Sequence, residues 1–260
     1  MKSGHSKLVF SAIDQYGGVQ VKESSGIRSL YFDNEVIQSS TSLEDPTKPI
    51  LEYIQGMGLG FYAPIKISNI LILGGGGGSL INLARKMHPE CHIDVVERSG
   101  AVVKAALEAM QMQKDTKIQI HASDALSFLT SVGTQPKYDL IFIDLFDSDG
   151  PALEYSNLEF SSRIVTLLNP KGIVLANLWK HARRSSKLLT DNISSSLGRH
   201  GYRWPLPSGL NLIFIAGRML DYDFLSDWKK TVVASKSDNF SERIVLINSL
   251  CHSVIPLSGK

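Results

Sequence analysis

The sequence predicts a doubly wound α/β domain over residues from about 68 to 217, with a small β-rich unit in front of it. Three observations carry this. Asn69–Leu73 (NILIL) is an unbroken apolar run of the kind found in strands buried on both faces of a parallel sheet, and five glycines come directly after it. Strand-like and helix-like segments then alternate, which calls for right-handed βαβ crossovers into one sheet. Finally, Tyr202–Trp204 and Asn211–Ala216 flank Pro205–Gly209, a hairpin signal that adds an antiparallel edge.

Taken in order, Lys7–Asp14, Val19–Glu23, Leu30–Phe32 and Val36–Gln38 are β-rich. Gly17-Gly18, Ser24-Ser25-Gly26 and Asp33-Asn34 between them are good turn formers, so residues 1–47 read as two hairpins and a linker over 40–47. Residues 48–260 read as the larger domain. It opens on a helix over Pro49–Phe61 that Gly56, Gly58 and Gly60 weaken. After the NILIL strand come helix Ser79–Met87, strand His92–Val96, helix Ala101–Met112, strand Ile118–His121 and helix Ala125–Val132. Strand Asp139–Ile143, helix Glu159–Leu168, strand Gly172–Asn177 and helix Ser185–Leu197 complete the alternation. With the hairpin this gives a seven-stranded sheet whose last strand runs antiparallel. Phe224–Ala234 and Ser241–Leu250 read as terminal helices.

At 260 residues and 43% hydrophobic, the chain can bury a sizeable core. The net charge of +2 is near balance, and Arg183-Arg184 is too short a run for nucleic acid, so no nucleic-acid partner is expected. Cys91 and Cys251 form neither a disulfide framework nor a metal site; no metal is expected. The polar start and the Ser11 break in Leu8–Ile13 give no signal-peptide core, and no apolar run is long enough to span a membrane. The expected setting is the cytoplasm.

Ligands of an open parallel sheet sit at the carboxyl ends of its strands, so the residues just beyond each strand indicate the chemistry. After the first come Gly74-Gly75-Gly76-Gly77-Gly78-Ser79, where backbone can approach a ligand without side-chain interference; Gly74, Gly76 and Gly78 are the candidate contacts. After the second comes Glu97, placed to accept hydrogen bonds from ribose hydroxyls. After the third comes Asp124-Ala125; Asp124 suits either the exocyclic amine of adenine or the N-cap of the next helix. After the fourth, Asp144, Asp147 and Asp149 lie within six residues, with Asp144 abutting the buried strand. They suit a cationic substrate and the removal of a proton from an attacking amine better than a divalent metal, because Gly150-Pro151 ends the run without calcium-loop spacing. After the fifth comes Asn177-Leu178-Trp179, whose tryptophan either walls the site or packs inside.

Together these loops resemble the spermidine synthase family, from about Leu30 to about Gly217 and most strongly over 69–179. The resemblance implies a class I methyltransferase-like, Rossmann-like doubly wound sheet behind a small N-terminal β-unit. It also implies transfer of an aminopropyl group from decarboxylated S-adenosylmethionine to an amine such as putrescine, releasing methylthioadenosine. The family's glycine loop falls on 74–79, its ribose acid on Glu97 and its strand-end Asp-Ala on Asp124-Ala125. Its paired aspartates followed by Gly-Pro-Ala fall on Asp144, Asp147 and Gly150-Pro151-Ala152. The strand ending in a glutamine near the nucleoside falls on Leu30–Gln38, and the upstream tyrosine on Tyr53, one residue off its usual spacing to Met57. The resemblance makes Asp144 the base and Asp147 the amine holder, and it brings a homodimer as an expectation that no residue pattern here addresses.

Three positions depart from the family. Gly77 stands where it carries an aspartate that grips an amine, Ser99 where it carries a second acid, and Leu145-Phe146 where it carries small residues. The nucleoside pocket reads as kept and the acceptor pocket as changed. Two alternatives remain open: a class I methyltransferase using S-adenosylmethionine itself, and a non-catalytic nucleoside-binding protein.

Overall fold

The computed structural model describes residues 6–33, 36–135, 137–147, 150–151, 153–179, 182–198, 201–235 and 255–256. The chain begins with a four-stranded antiparallel meander: β1 (Lys7–Asp14), β2 (Gly17–Ser24), β3 (Ile27–Tyr31) and β4 (Ile37–Ser42), hydrogen-bonded in that order. The last strand runs further than its sequence suggests. Ser40 and Thr41, expected to begin a linker, lie buried in β4 together with Ser39. The two serines find partners there: Ser40 bonds Ser29 across the strands at 2.8 Å, Ser39 Oγ lies 3.4 Å from Ser79 Oγ, and the Ser79 hydroxyl donates to the Ser40 carbonyl, while the buried Thr41 hydroxyl has no partner among the described residues.

A short helix, α1 (Glu52–Gly58), continues as a 3-10 turn over Leu59–Tyr62. The main domain then unrolls as β5 (Asn69–Leu73), α2 (Ser79–Met87), β6 (His92–Glu97), α3 (Gly100–Glu108), β7 (Ile118–Ala122), α4 (Ala125–Ser131) and β8 (Tyr138–Ile143). Two short strands, β9 (Phe146–Asp147) and β10 (Gly150–Pro151), pair with each other after β8. A 3-10 turn over Leu153–Ser156 leads into α5 (Leu158–Leu167), β11 (Leu168–Trp179) and α6 (Arg183–Leu197). The hairpin β12 (Tyr202–Pro205) and β13 (Asn211–Ala216), α7 (Tyr222–Ala234) and β14 (Ile255–Pro256) end the described chain.

The central sheet has the order β14-β12-β13-β11-β8-β5-β6-β7. β5 pairs in parallel with β6 on one side and β8 on the other, so the strand order reverses at β5. β13 runs antiparallel to β11, as the hairpin signal predicts. The two-residue β14 makes an eighth strand where seven were expected; so short a segment leaves no periodicity to read. β11 also starts earlier than expected, at Leu168. Its register to β8 shifts between Leu168 and Ile173, a stretch that holds Pro170, and a proline in a sheet is tolerated at such an irregularity. The expected helix over Ser241–Leu250 lies outside the described residues.

Side chains of β5 alternate between two cores. Ile70 and Ile72 face one built from α1, α2, Trp204 and Trp228. Leu71 and Leu73 face the other, built from Phe128, Phe160 and Ile164. A third, smaller core joins Val19, Val21 and Leu30 of the meander to Ala101, Val102, Ala105 and Met110 on and after α3. That third core fixes the meander beside the carboxyl end of β6, above the reversal point.

Candidate active site

The strand ends around β5 open into a cavity of about 610 Å³. The glycine loop, Glu97, Asp144 and Asn177 come from the main domain, and Gln38, Phe32 and Tyr16 reach in from the meander. Gly74 shows why the loop begins with glycine. Its φ is +93°, and an added Cβ would stand 2.1 Å from the Asp144 carbonyl oxygen. The turn therefore lets the end of β5 lie against the end of β8, and Asp144 N donates to Leu73 O across that seam.

Glu97 is gripped by backbone. One carboxylate oxygen accepts from Gly75 N at 3.1 Å and Gly76 N at 3.3 Å, the other from Ser99 N at 3.0 Å. Burial pushes its carboxyl above the ordinary range, while those amides pull the other way. The grip fixes the side chain and leaves lone pairs facing the cavity, which suits two vicinal hydroxyls. Ser99, the departure two residues on, caps α3 by accepting from Val102 N and donates to Asp14 of the meander at 2.7 Å.

Asp144 sits in a polar cluster. Asn177 Nδ2 donates to its Oδ1 at 2.9 Å, and Asn211 Nδ2 donates to Asn177 Oδ1 at 2.9 Å. The Tyr53 hydroxyl faces the same carboxylate, and it is also within 3.0 Å of the Gln38 carbonyl oxygen. Burial pushes the Asp144 carboxyl up to about 6; donation from Asn177 and Tyr53 opposes this, and the charge of Glu97 adds to it. Burial, together with that carboxylate, drives the Tyr53 phenol well above its usual range. The result is a carboxylate of raised basicity that is ionised near neutral pH, as a proton acceptor must be. Beside it Phe146 and Trp179 pack at 5.8 Å between ring centroids, and Leu145 and Leu210 extend an apolar wall. Trp179 thus walls the cavity.

Of the residues expected from sequence, Gln38, Gly74, Gly76, Glu97, Ala125 and Asp144 line one cavity. Gly78 does not; with φ +84° it precedes the first turn of α2. Asp124 is not among the lining residues; it caps α4 by accepting from Ser127 N at 3.0 Å and accepts from the Tyr155 hydroxyl. The backbone of Asp147 lies in β9, but its side chain and the whole of Asp149 lie outside the described residues. Sequence reasoning did not name Asn211, Tyr155 or Glu52, which also line the cavity. Asn211 carried one signal, a polar residue opening an otherwise apolar strand opposite Trp179. Among the described residues no group of three or more His, Cys, Asp or Glu could hold a metal, and no helix is long and apolar enough to cross a membrane.

The family model described as the spermine/spermidine synthase domain matches residues 48–194. The chain belongs to that family. A polyamine aminopropyltransferase of Vibrio vulnificus is 26% identical over 69% of this chain and 62% of its own length, so the match spans a little under two thirds of that relative. The fold agrees with that of spermidine synthase from Thermotoga maritima (TM-score 0.71, 19% identity, 94% of this chain and 84% of that one). It also agrees with human methyltransferase-like protein 13 in complex with SAH (TM-score 0.64, 17% identity, 75% of this chain and all of that one). The family and the class I methyltransferase-like fold expected from the loops are both found, and the glycine loop, Glu97 and Asp144 all fall inside the matched segment.

Proposed function

We propose that this member of the family moves an aminopropyl group from decarboxylated S-adenosylmethionine to an amine, putrescine or a relative, and releases methylthioadenosine. The observation that carries the proposal is the half-buried Asp144 carboxylate, raised in basicity and held by Asn177 and Tyr53, in the same cavity as Glu97 and the glycine loop. Glu97 would take the ribose hydroxyls, Gly74 and Gly76 would let the donor approach the backbone, Gln38 would assist, and Ala125 would border the adenine.

The step balances without a metal or redox partner. Asp144 takes a proton from the acceptor ammonium and leaves a neutral amine. The nitrogen lone pair then forms a bond to the propyl carbon beside the sulfonium. The carbon–sulfur bond breaks, its electrons go to sulfur, and the nucleoside leaves as a neutral thioether. The new secondary amine keeps its positive charge, and Asp144 returns the proton to water. Asp147 would hold an amine at the mouth. The division into a unit over 1–47 and a catalytic domain over 48–260, a homodimer and a cytoplasmic setting belong to the same proposal.

One observation favours methyl transfer from S-adenosylmethionine as a second reading. A Cβ at Gly77 would lie 2.6 Å from Ser39 Oγ, 2.8 Å from Ser39 Cβ and 2.9 Å from Met110 Cε. The family's ammonium-gripping aspartate therefore has no room here, and a methyl group needs no such grip.

Asp144→Asn tests the mechanism. Turnover should vanish while nucleoside affinity stays within about tenfold, ~1.4 kcal/mol. Full activity in that variant removes Asp144 as the base.

A further inference from the structure

Asn211 is a polar residue that the proposed chemistry leaves unused. It opens β13, half-buried in the lining of the cavity and directly across the ladder from Trp179. Asn177 pairs with Ile213 in the same ladder, so Asn177 and Asn211 are diagonal neighbours on one face of the sheet. Their surroundings are apolar: Ala176, Leu178, Ile213 and Phe214 are buried, and Asn177 is itself only 5% exposed. Asn211 Nδ2 donates to Asn177 Oδ1, and Asn177 Nδ2 donates to Asp144 Oδ1, each at 2.9 Å. The three side chains form one chain of hydrogen bonds that ends on the carboxylate. Its outer end is held in place: the Asn211 carbonyl accepts from Leu206 N across the hairpin, and Glu52 of α1 accepts from Ser208 N at the hairpin tip.

A side-chain amide has a donor at one end and an acceptor at the other, and the two ends are nearly the same shape. An ionised carboxylate only accepts, whereas a protonated one can also donate. With its NH2 toward Asp144, Asn177 favours the ion; with its carbonyl there, it would favour the acid. The choice is made at the far end of the amide. Asn211 offers a hydrogen there, and only the first orientation can accept it. Resting on the reading of Asp144 as the base, we infer that Asn211 is a positioning residue: through Asn177 it holds an amide donor on Asp144 and so keeps that carboxylate in the form that takes a proton from the amine. The other groups facing Asp144 among the described residues are the Tyr53 phenol from α1 and the Glu97 carboxylate from β6. They bond elsewhere, to the Gln38 carbonyl and to the amides of Gly75, Gly76 and Ser99, so a change at Asn211 acts on the amide chain.

The test follows the Asp144 carboxyl in the full chain by carbon-13 NMR of aspartate-labelled protein, its signal assigned by its absence in Asp144→Asn. Wild type, Asn211→Leu, Asn177→Ala and the double variant are titrated, with thermal melts of each. Asn211→Leu should raise the midpoint by about half a unit to one unit. In the Asn177→Ala background it should leave the midpoint where Asn177→Ala alone puts it. An unmoved midpoint in Asn211→Leu overturns the inference. So does a shift of equal size with and without Asn177, because Asn211 would then act on Asp144 by another route. If Asn211→Leu melts early, Asn211→Asp takes its place, keeping the size and removing the donor. The upward shift it causes must shrink when Asn177 is absent, and an undiminished shift overturns the inference. Turnover is read separately. The rising limb of the pH–rate profile should move upward in Asn211→Leu with the midpoint, and a limb that stays while the midpoint moves overturns the positioning role. A moved midpoint in a chain whose wild type releases no methylthioadenosine removes the aminopropyl reading, while the hold of Asn211 on Asp144 stands.

Discussion

Replacing Asp144 by asparagine should make the protein more stable at neutral pH while destroying its proposed chemistry. In the folded chain burial lifts the Asp144 carboxyl from 3.8 to about 6. Below about pH 4 the group is protonated in both folded and unfolded chains, so the shift has no effect there. Between about pH 4 and pH 6 the folded chain keeps a proton that the unfolded chain has lost, so stability falls as pH rises. Above about pH 6 both are ionised and the whole cost is present. About two pKa units at 1.36 kcal/mol each give about 3 kcal/mol as an upper figure, since water in an open cavity screens the charge. Asparagine avoids that cost and keeps the local bonds: its amide oxygen accepts from Asn177 Nδ2, and Tyr53 retains the Gln38 carbonyl. Urea unfolding of both proteins at about pH 4 and about pH 8 measures the difference. The asparagine variant should match wild type at the lower pH and exceed it by ~1–3 kcal/mol at the higher. A variant equal to or weaker than wild type at about pH 8, or a gain independent of pH, would refute the burial argument.

Two further predictions concern the neighbours of that carboxylate and the glycine loop. Asn177→Ala removes a donor that favours ionised Asp144, so the rising limb of the pH–rate profile should move upward by about one unit; an unmoved limb would mean that the Asn177 bond does not tune the base. Gly77→Ala should cost ~1–3 kcal/mol in unfolding free energy, because its Cβ meets the backbone-fixed Ser39 Cβ at 2.8 Å as well as the flexible Met110. Ser39→Gly in the same chain should recover part of that loss, and strictly additive effects would show that the two residues do not collide.

Much of this was legible because two signals coincide at each strand end. NILIL marks β5 by its unbroken apolarity, and the next residue must be glycine because β5 and β8 end against each other. Glu97 and Asp144 are equally plain, since each sits at the end of a buried strand. Legibility failed where polar residues are buried with partners. Ser40 and Thr41 read as a linker and lie buried in β4, since a polar run held by pairing such as that of Ser40 with Ser29 leaves no hydrophobic trace. It failed also where a site is assembled over long separations. The Asn211–Asn177–Asp144 chain spans three strands, and the Tyr155–Asp124 pair joins two loops. Asp124 shows the limit of reading one residue at a time. Its two sequence readings, helix cap and adenine acceptor, meet in a geometry where the cap is made and the other carboxylate oxygen accepts from the Tyr155 hydroxyl.

The most direct test is to offer the purified protein decarboxylated S-adenosylmethionine and S-adenosylmethionine in turn, each with a panel of mono-, di- and polyamines, and to identify the nucleoside product by mass spectrometry. Aminopropyl transfer predicts methylthioadenosine from the decarboxylated donor with at least one amine, and a matching gain of one aminopropyl unit on that amine. S-adenosylhomocysteine from S-adenosylmethionine as the only nucleoside product, or no product from either donor, would contradict it.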